Sequence, residues 1–248
     1  MIELSVVVPV YNEADNILSL CRQVGQALDG VVQYELVLVD DGSTDGSPAV
    51  LQQAMAEQPR LVVLFHPANA GQSAALCTGA AAARGELMAT LDGDLQNDPA
   101  DIPKLLTVYR DSARPVLVAG NRVNRRDTWV RRVSSRIANG VRSWLLKDQC
   151  PDTGCSLKLF RRADFLLLPQ FDHMHRFLPA LFAAQGIGIQ NVPVNHRPRA
   201  AGESKYGVGN RLWVGIADLF GVRWLIRRKF RISASQRHSI QPSERDDS

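Results

Sequence analysis

The sequence predicts an α/β fold with a mainly parallel central sheet and helices on both faces. Three observations carry that prediction. In the first 120 residues short apolar runs alternate with stretches of helical periodicity, the runs are nearly continuous in apolarity, and most end in polar or charged residues. Strands buried on both faces of a parallel sheet have that composition, and strand–helix alternation builds that sheet.

Taken in order, the strands are expected at 4–10, 34–40, 61–66, 87–92 and 115–120, each rich in Val, Leu and Ile. Helices are expected between them at 14–28, 47–58, 72–83 and 101–112. In the first, Ile17, Leu20, Cys21, Val24 and Leu28 recur at helical spacing, and Asp45 and Asp101 stand where N-caps of the second and fourth would be. Beyond residue 120 a strand at 156–160, a helix at 176–185 and a strand at 187–194 follow. A polar loop with Pro and Gly covers 195–205, then an apolar segment runs from 206 to 228. There is no internal repeat.

Composition narrows the class. With 248 residues, 45% hydrophobic and 22% charged, the chain can bury a sizeable core and is neither dominantly disordered nor fibrous. Cys21, Cys77, Cys150 and Cys155 form no C-x-x-C pair and read as reduced, intracellular thiols. The first ten residues lack the basic region and cleavage site of a signal peptide.

Charge is divided unevenly. Residues 1–100 carry 3 basic and 13 acidic side chains, net −10, whereas residues 101–248 carry 26 and 12, net +14. The split points to an acidic site, suited to a metal ion, and a separate basic surface suited to phosphate, nucleic acid or anionic lipid. Two solvated faces of opposite sign would give the same count.

Ligands of such sheets bind beyond the carboxyl ends of the strands. The segment Asp92-Gly93-Asp94-Leu95-Gln96 stands at one such end. Two carboxylates one residue apart, with Gly93 allowing a tight turn, can approach one hard divalent cation such as Mg²⁺ or Mn²⁺. Alone, the same pattern also suits a short acidic turn. Val39-Asp40-Asp41-Gly42-Ser43-Thr44 is a second acidic strand end, whose carboxylates could accept hydrogen bonds from a base or ribose, or simply shape a β-turn. It misses the D-x-D-G-[ST] phosphatase signature, because Gly42 holds the position of the second Asp. Neither G-x-G-x-x-G nor G-x-x-x-x-G-K-[ST] is present. Bound phosphates would therefore need a metal for neutralisation, as in a nucleotide-diphosphate site.

With Val8-Pro9-Val10-Tyr11-Asn12-Glu13 preceding those two segments, the order resembles the inverting GT-A glycosyltransferases of family 2. Within it, the chain is most similar to the dolichyl- and undecaprenyl-phosphate glycosyltransferases. Gly120-Asn121-Arg122, Arg136, Asp152-Thr153-Gly154-Cys155-Ser156 and the segment from Arg199 to Tyr206 support this. The resemblance implies a GT-A domain over 1–205, with a nucleotide-sugar half at 1–120 and an acceptor half at 121–205. It implies transfer of one sugar from GDP-mannose or a UDP-sugar to a polyprenyl phosphate. Pro9, Tyr11 and Glu13 would line the base and ribose pocket, with Asp40 and Asp41 near the base. Asp92 would face ribose or the metal's water shell, while Asp94 and Gln96 would ligate Mg²⁺ or Mn²⁺. Arg122, Arg136, Arg199 and Lys205 would hold the acceptor phosphate, and Asp92, Asp94 and Arg122 would be the catalytic residues. Cys155 departs from the usual aromatic residue, which bears on local packing.

A lipid-phosphate nucleophile is already ionised at neutral pH and needs no strong base. His173 and His175, which sit near Arg176, could stand near the acceptor, but read more readily as surface or packing histidines. A sugar-hydroxyl acceptor would need a base carboxylate, with Asp152 the candidate. A non-catalytic basic module binding membrane or nucleic acid through 122–142 is a third reading; under the first, nucleic acid is not a partner. Residues 206–231 are expected to form an amphipathic helix on the membrane surface, the alternatives being a helix packed on the domain's own core or a dimer contact. Trp213, Ala217, Phe220 and Trp224 fall on one stripe, Leu212, Ile216 and Leu219 lie beside it, and a basic run follows at 227–231. Arg211, Asp218 and Arg223 make spanning unfavourable. The expected location is peripheral, on the cytoplasmic face of the inner membrane, with 232–248 as a disordered tail and the oligomeric state open.

Overall fold

The computed structural model describes residues 1–122, 142, 145–146, 148–198 and 209–228, without the side chains of 209–214 and 216. Its sheet starts from β1 (Leu4–Val10), a strand buried at all but one position and flanked by parallel partners on both sides. β1 pairs in parallel with β2 (Tyr34–Asp40) on one side and β4 (Leu87–Thr90) on the other. β3 (Leu61–Phe65) extends the array beyond β2. On the other wing β6 (Lys158–Arg161) runs antiparallel between β4 and β5 (Val116–Arg122), and β7 (Gly188–Val194) closes the edge parallel to β5. The order among the described residues is β3-β2-β1-β4-β6-β5-β7.

Alternation along β1 sorts the two cores. Leu4, Val6, Val8 and Val10 face one cluster, filled by α1 (Ala14–Leu28), α2 (Ser47–Glu57) and α4 (Ile102–Arg110). Val7 faces the other, with α3 (Gln72–Ala82), α5 (Arg162–Leu166) and α6 (Leu178–Ala184). Each fully buried Leu or Val contributes about 1.5–3 kcal/mol, so a β1 register slip, which would exchange the faces, is strongly disfavoured. α3 sits close because residue 79 is glycine: a Cβ there would lie 2.4 Å from Val7 Cγ1. α7 (Gly209–Arg227) sends Val222 into the second core.

Departures from the expected boundaries have local causes. β4 stops at Thr90, which leaves Asp92 in the loop beyond the sheet. β5 runs on to Arg122 because Asn121 and Arg122 register with Pro193 and Val194 of β7. The helix expected from 176 starts at Leu178, after a separate 3₁₀ turn at Met174–Arg176, with Pro179 in its first turn. Asp101 does not cap α4 with its carboxylate, contrary to expectation. Its Oδ2 accepts from Asn195 N at 2.7 Å, and Asp98 caps the preceding turn by accepting from Ala100 N at 3.0 Å. Asp45 does serve the start of α2, accepting from Ser47 N at 2.8 Å. The four cysteines are free.

Candidate functional site

The carboxyl ends of the parallel strands are stitched together by their own polar residues. After β1, Asn12 takes a left-handed conformation, donates its N–H to Ser43 Oγ at 2.8 Å and accepts from Thr44 N at 2.7 Å. After β2, both oxygens of Asp41 are engaged. Oδ1 faces His66 Nδ1 at 2.8 Å and accepts from Ala70 N at 2.9 Å, while Oδ2 accepts from Gly71 N at 2.8 Å. Asp41 thus holds the loop after β3, and His66 completes the brace through Thr78 Oγ1 at 2.9 Å. Gly42, at φ +70°, lets the two loops touch: a Cβ there would lie 2.5 Å from the Ala68 carbonyl carbon.

Asp92, Gly93 and Asp94 turn directly against the first loop. A Cβ on Gly93 would meet Pro9 O at 3.3 Å and Glu13 Cγ at 3.5 Å, so this turn leans on Pro9 and Glu13. Tyr11 is half-buried beside them in sequence, and Asp40 is buried, with Oδ1 accepting from Ser43 N at 3.3 Å. Asp92 Oδ1 accepts from Gln72 Nε2 at 2.7 Å, at the start of α3. Burial and the adjacent Asp94 charge push the Asp92 carboxyl above its ordinary range. Asp94 is buried, and its Oδ1 accepts from Gln96 N at 3.1 Å.

A cavity of about 470 Å³ opens past β4, lined by Gln72, Asp92, Gly154, Ser156, Lys158 and His175, among others. Asn97 anchors its loop by donating to Ser156 Oγ at 2.6 Å, and Cys155 Sγ lies 3.4 Å from Asn97 Oδ1. Cys155 is fully buried against Gly120, where a Cβ would come within 2.9 Å of the sulfur. The sulfur therefore sits in space that only a small neighbour leaves. Lys158 is 2% exposed; its ammonium donates to the carbonyls of Thr153 and Cys155, and burial lowers its pKa.

Arg122 stands behind Gly154, its Nε donating to Asp152 Oδ2 and its Nη2 to Asp152 Oδ1, both at 2.7 Å. Arg136, Arg199 and Lys205 lie outside the described residues. The described chain leading towards the last two runs beside the acidic turn. Arg197 N donates to Gln96 O at 2.9 Å, and its side chain reaches Asp98 and Gln23.

The donor set suits a hard divalent cation. Asp94, Asp92 and the Gln96 amide offer oxygen, and among the described residues no group of three or more His, Cys, Asp or Glu forms a closed cage. A cation there would complete its shell from ligand phosphates, as Mg²⁺-type sites do.

Residues 5–167 match the family described as Glycosyl transferase family 2. The chain belongs to this family. It is 38% identical over 237 residues to the dodecaprenyl-phosphate galacturonate synthase of Rhizobium johnstonii, a match covering 93% of this chain and 69% of that protein. It is also 38% identical over 208 residues to the undecaprenyl-phosphate 4-deoxy-4-formamido-L-arabinose transferase of Edwardsiella ictaluri, covering 83% and 63%. Among solved structures it is similar to glucosyl-3-phosphoglycerate synthase from Mycobacterium tuberculosis in complex with Mn²⁺, UDP-glucose and phosphoglyceric acid. That match has a TM-score of 0.70 at 18% identity and covers 90% of this chain and 79% of that one. The same enzyme with Mg²⁺ and UDP gives 0.69 at 20% identity. The likeness establishes the GT-A fold.

Within this family 2 enzyme the structure brings Pro9, Glu13, Asp92, Asp94 and Gln96 to one end of the sheet. Sequence reasoning missed Gln72, Lys158 and the side chain of Arg176, which also lines the cavity. A lysine inside the apolar run 157–160 was the one legible signal. His175 proves to be a packing histidine that also reaches the cavity wall, with Nδ1 2.8 Å from Ser73 Oγ.

Proposed function

We propose that the protein transfers one sugar from a nucleotide-diphosphate sugar to a polyprenyl phosphate, in a metal-assisted reaction that inverts the anomeric centre. The observation that carries this reading is the make-up of the cavity. Asp92 of the acidic turn lines it together with the cationic Lys158 and Arg176, and Asp152, the carboxylate named as the candidate base, is engaged. Asp152 has both oxygens bound by the Arg122 guanidinium, which favours an already ionised phosphate nucleophile over a hydroxyl that must be deprotonated. The named acceptors of both similar proteins are polyprenyl phosphates.

Pro9, Tyr11, Glu13, Asp40 and Asp41 surround the place of the base and ribose. Asp40 and Asp41 act there chiefly by fixing the loops, since Asp41 already accepts three hydrogen bonds. Asp94 and Gln96 would hold Mg²⁺ or Mn²⁺, which when bound neutralises charge developing on the departing diphosphate. Gln72 fixes Asp92 against the cavity. Arg122 keeps its Nη1 edge for the acceptor phosphate, with Arg136, Arg199 and Lys205 assigned to the same task. Inversion follows from attack by the phosphate oxygen on the face of the sugar carbon opposite the diphosphate.

Contact with the membrane is assigned to the last helix. No described helix is long and apolar enough to cross a membrane. α7 instead packs Leu219, Val222 and Ile226 on the body and exposes Phe220 and Trp224, with the Arg228 guanidinium 5.1 Å above the Trp224 ring. An apolar, aromatic face beside arginines fits peripheral attachment to anionic lipid, here on the cytoplasmic face. Leu219 belongs to the packed face, while Ala217, Phe220 and Trp224 of the expected stripe face outward; the side chains of Leu212, Trp213 and Ile216 lie outside the described residues.

Thermal unfolding of the purified chain with UDP or GDP, each with and without Mn²⁺, tests the donor half. A ligand bound only by the folded state raises the midpoint. A metal-dependent rise with one nucleotide supports the reading; no rise with either opposes it.

A further inference from the structure

We propose that Arg176 receives the phosphate of the lipid acceptor at the mouth of the cavity, an assignment that rests on the function proposed above. Arg176 ends the 3₁₀ turn Met174–Arg176, which the core holds from both sides through buried Met174 and Phe177. Ser73 of α3 grips the middle of the turn, accepting from His175 N at 3.3 Å and lying 2.8 Å from His175 Nδ1. The turn is therefore a fixed platform, and the arginine it carries is exposed and lines the cavity.

What distinguishes Arg176 from the neighbouring arginines is its lack of a partner. Arg122 is paired with Asp152, Arg142 with Asp148 and Arg161 with Asp164, and Arg162 donates to Ala80 O. Among the described residues none hydrogen-bonds or ion-pairs with the Arg176 side chain. A guanidinium carried on a fixed turn with both edges open offers the planar two-pronged geometry that phosphate oxygens take. Its charge is the turn's own, because burial and the Arg176 and Lys158 charges push His175 down to about 3 and keep it neutral. Lys158, across the same cavity, has its ammonium engaged by two carbonyls and adds positive field rather than an open contact.

The direction of approach also fits. His173, in the same turn segment, faces Asp218 of α7 at 3.2 Å, and α7 bears the exposed Phe220 and Trp224. A lipid phosphate delivered along α7 would enter on the side of the turn that carries Arg176.

Calorimetric titration of the full chain with farnesyl phosphate, a short polyprenyl monophosphate, tests the assignment. Arg176→Ala should weaken binding at least about tenfold, and Arg176→Lys should recover part of the loss. Arg60→Ala, removing a surface charge paired with Asp29, should bind like wild type. The metal-dependent thermal shift with the nucleotide should stay unchanged in all three, which also shows that they fold. Unchanged affinity in Arg176→Ala overturns the assignment alone. Equal loss of nucleotide binding in Arg176→Ala and Arg176→Lys overturns it in favour of a donor-side role. Failure of the wild-type chain to bind farnesyl phosphate overturns the acceptor reading itself.

Discussion

Arg122 and Asp152 form a two-pronged ion pair, Nε to Oδ2 and Nη2 to Oδ1, each at 2.7 Å, with side chains only 13% and 7% exposed. The Arg122 backbone N–H adds a third bond to Oδ2 at 3.2 Å. The pair joins the end of β5 to the loop that closes the cavity. Burial works against the charged guanidinium, but the Asp152 carboxylate outweighs it and raises the pKa, so the charge is permanent.

Removing one member of a buried pair leaves the other charge stranded, which costs about 3–5 kcal/mol. Asp152→Ala is therefore expected to lower stability by about 3 kcal/mol and to raise the acceptor KM, because Arg122 loses its orientation. Urea unfolding and steady-state kinetics check both. The account also predicts that Asp152→Asn leaves the shape of the pH–rate profile unchanged, whereas loss of a general base would remove its acidic limb.

Asp94 is expected to matter for chemistry more than for folding. Asp94→Ala should reduce turnover about 100-fold or more with little change in the melting midpoint. A chelator should abolish activity of the wild-type enzyme, and added Mn²⁺ or Mg²⁺ should restore it. Activity that survives chelation would remove the metal from the account.

His175 makes stability depend on pH in a defined window. In the folded protein its pKa is pushed down to about 3, against an ordinary value of 6.5. Below pH 6.5 the unfolded chain takes up a proton that the fold refuses, so stability falls as pH falls towards 3 and is unaffected above 6.5. The slope is about 1.4 kcal/mol per pH unit. Urea midpoints between pH 7.5 and 5 should show the decline in wild type and a shallower one in His175→Gln.

Gly42 and Gly30 separate two costs of replacing glycine. Both have positive φ, +70° and +76°, but a Cβ at 42 would strike Ala68 and Asn69, whereas nothing lies within 4 Å at 30. Gly30→Ala should cost about 1 kcal/mol. Gly42→Ala should cost more and also weaken nucleotide binding, because the loops after β2 and β3 must part. Unfolding midpoints with and without nucleotide make the comparison.

The nucleotide half was legible because its signals are local. A buried parallel strand is a short apolar run, and the polar residues closing β1, β2 and β4 fall at its end. What stayed hidden depends on contacts between distant segments. Nothing near Asp41 reveals that its carboxylate braces residues 66–71, and Asp101 reads as a cap until Asn195, 94 residues away, claims its oxygen. Lys158 and Arg176 become cavity residues only when an antiparallel strand inserts beside β4 and a 3₁₀ turn docks on Ser73. Asp152 shows the same limit, since a candidate base and an ion-pair partner are identical in sequence.

The central claim is transfer to a lipid phosphate, and product analysis tests it most directly. Purified enzyme with Mn²⁺ and the nucleotide sugar that stabilises it would be offered undecaprenyl phosphate or undecaprenol, and the lipid products weighed by mass spectrometry. The account predicts a single sugar added to undecaprenyl phosphate through its phosphate oxygen, and no product from the alcohol. Glycosylated undecaprenol, or no lipid product from an enzyme that binds the donor, would contradict it.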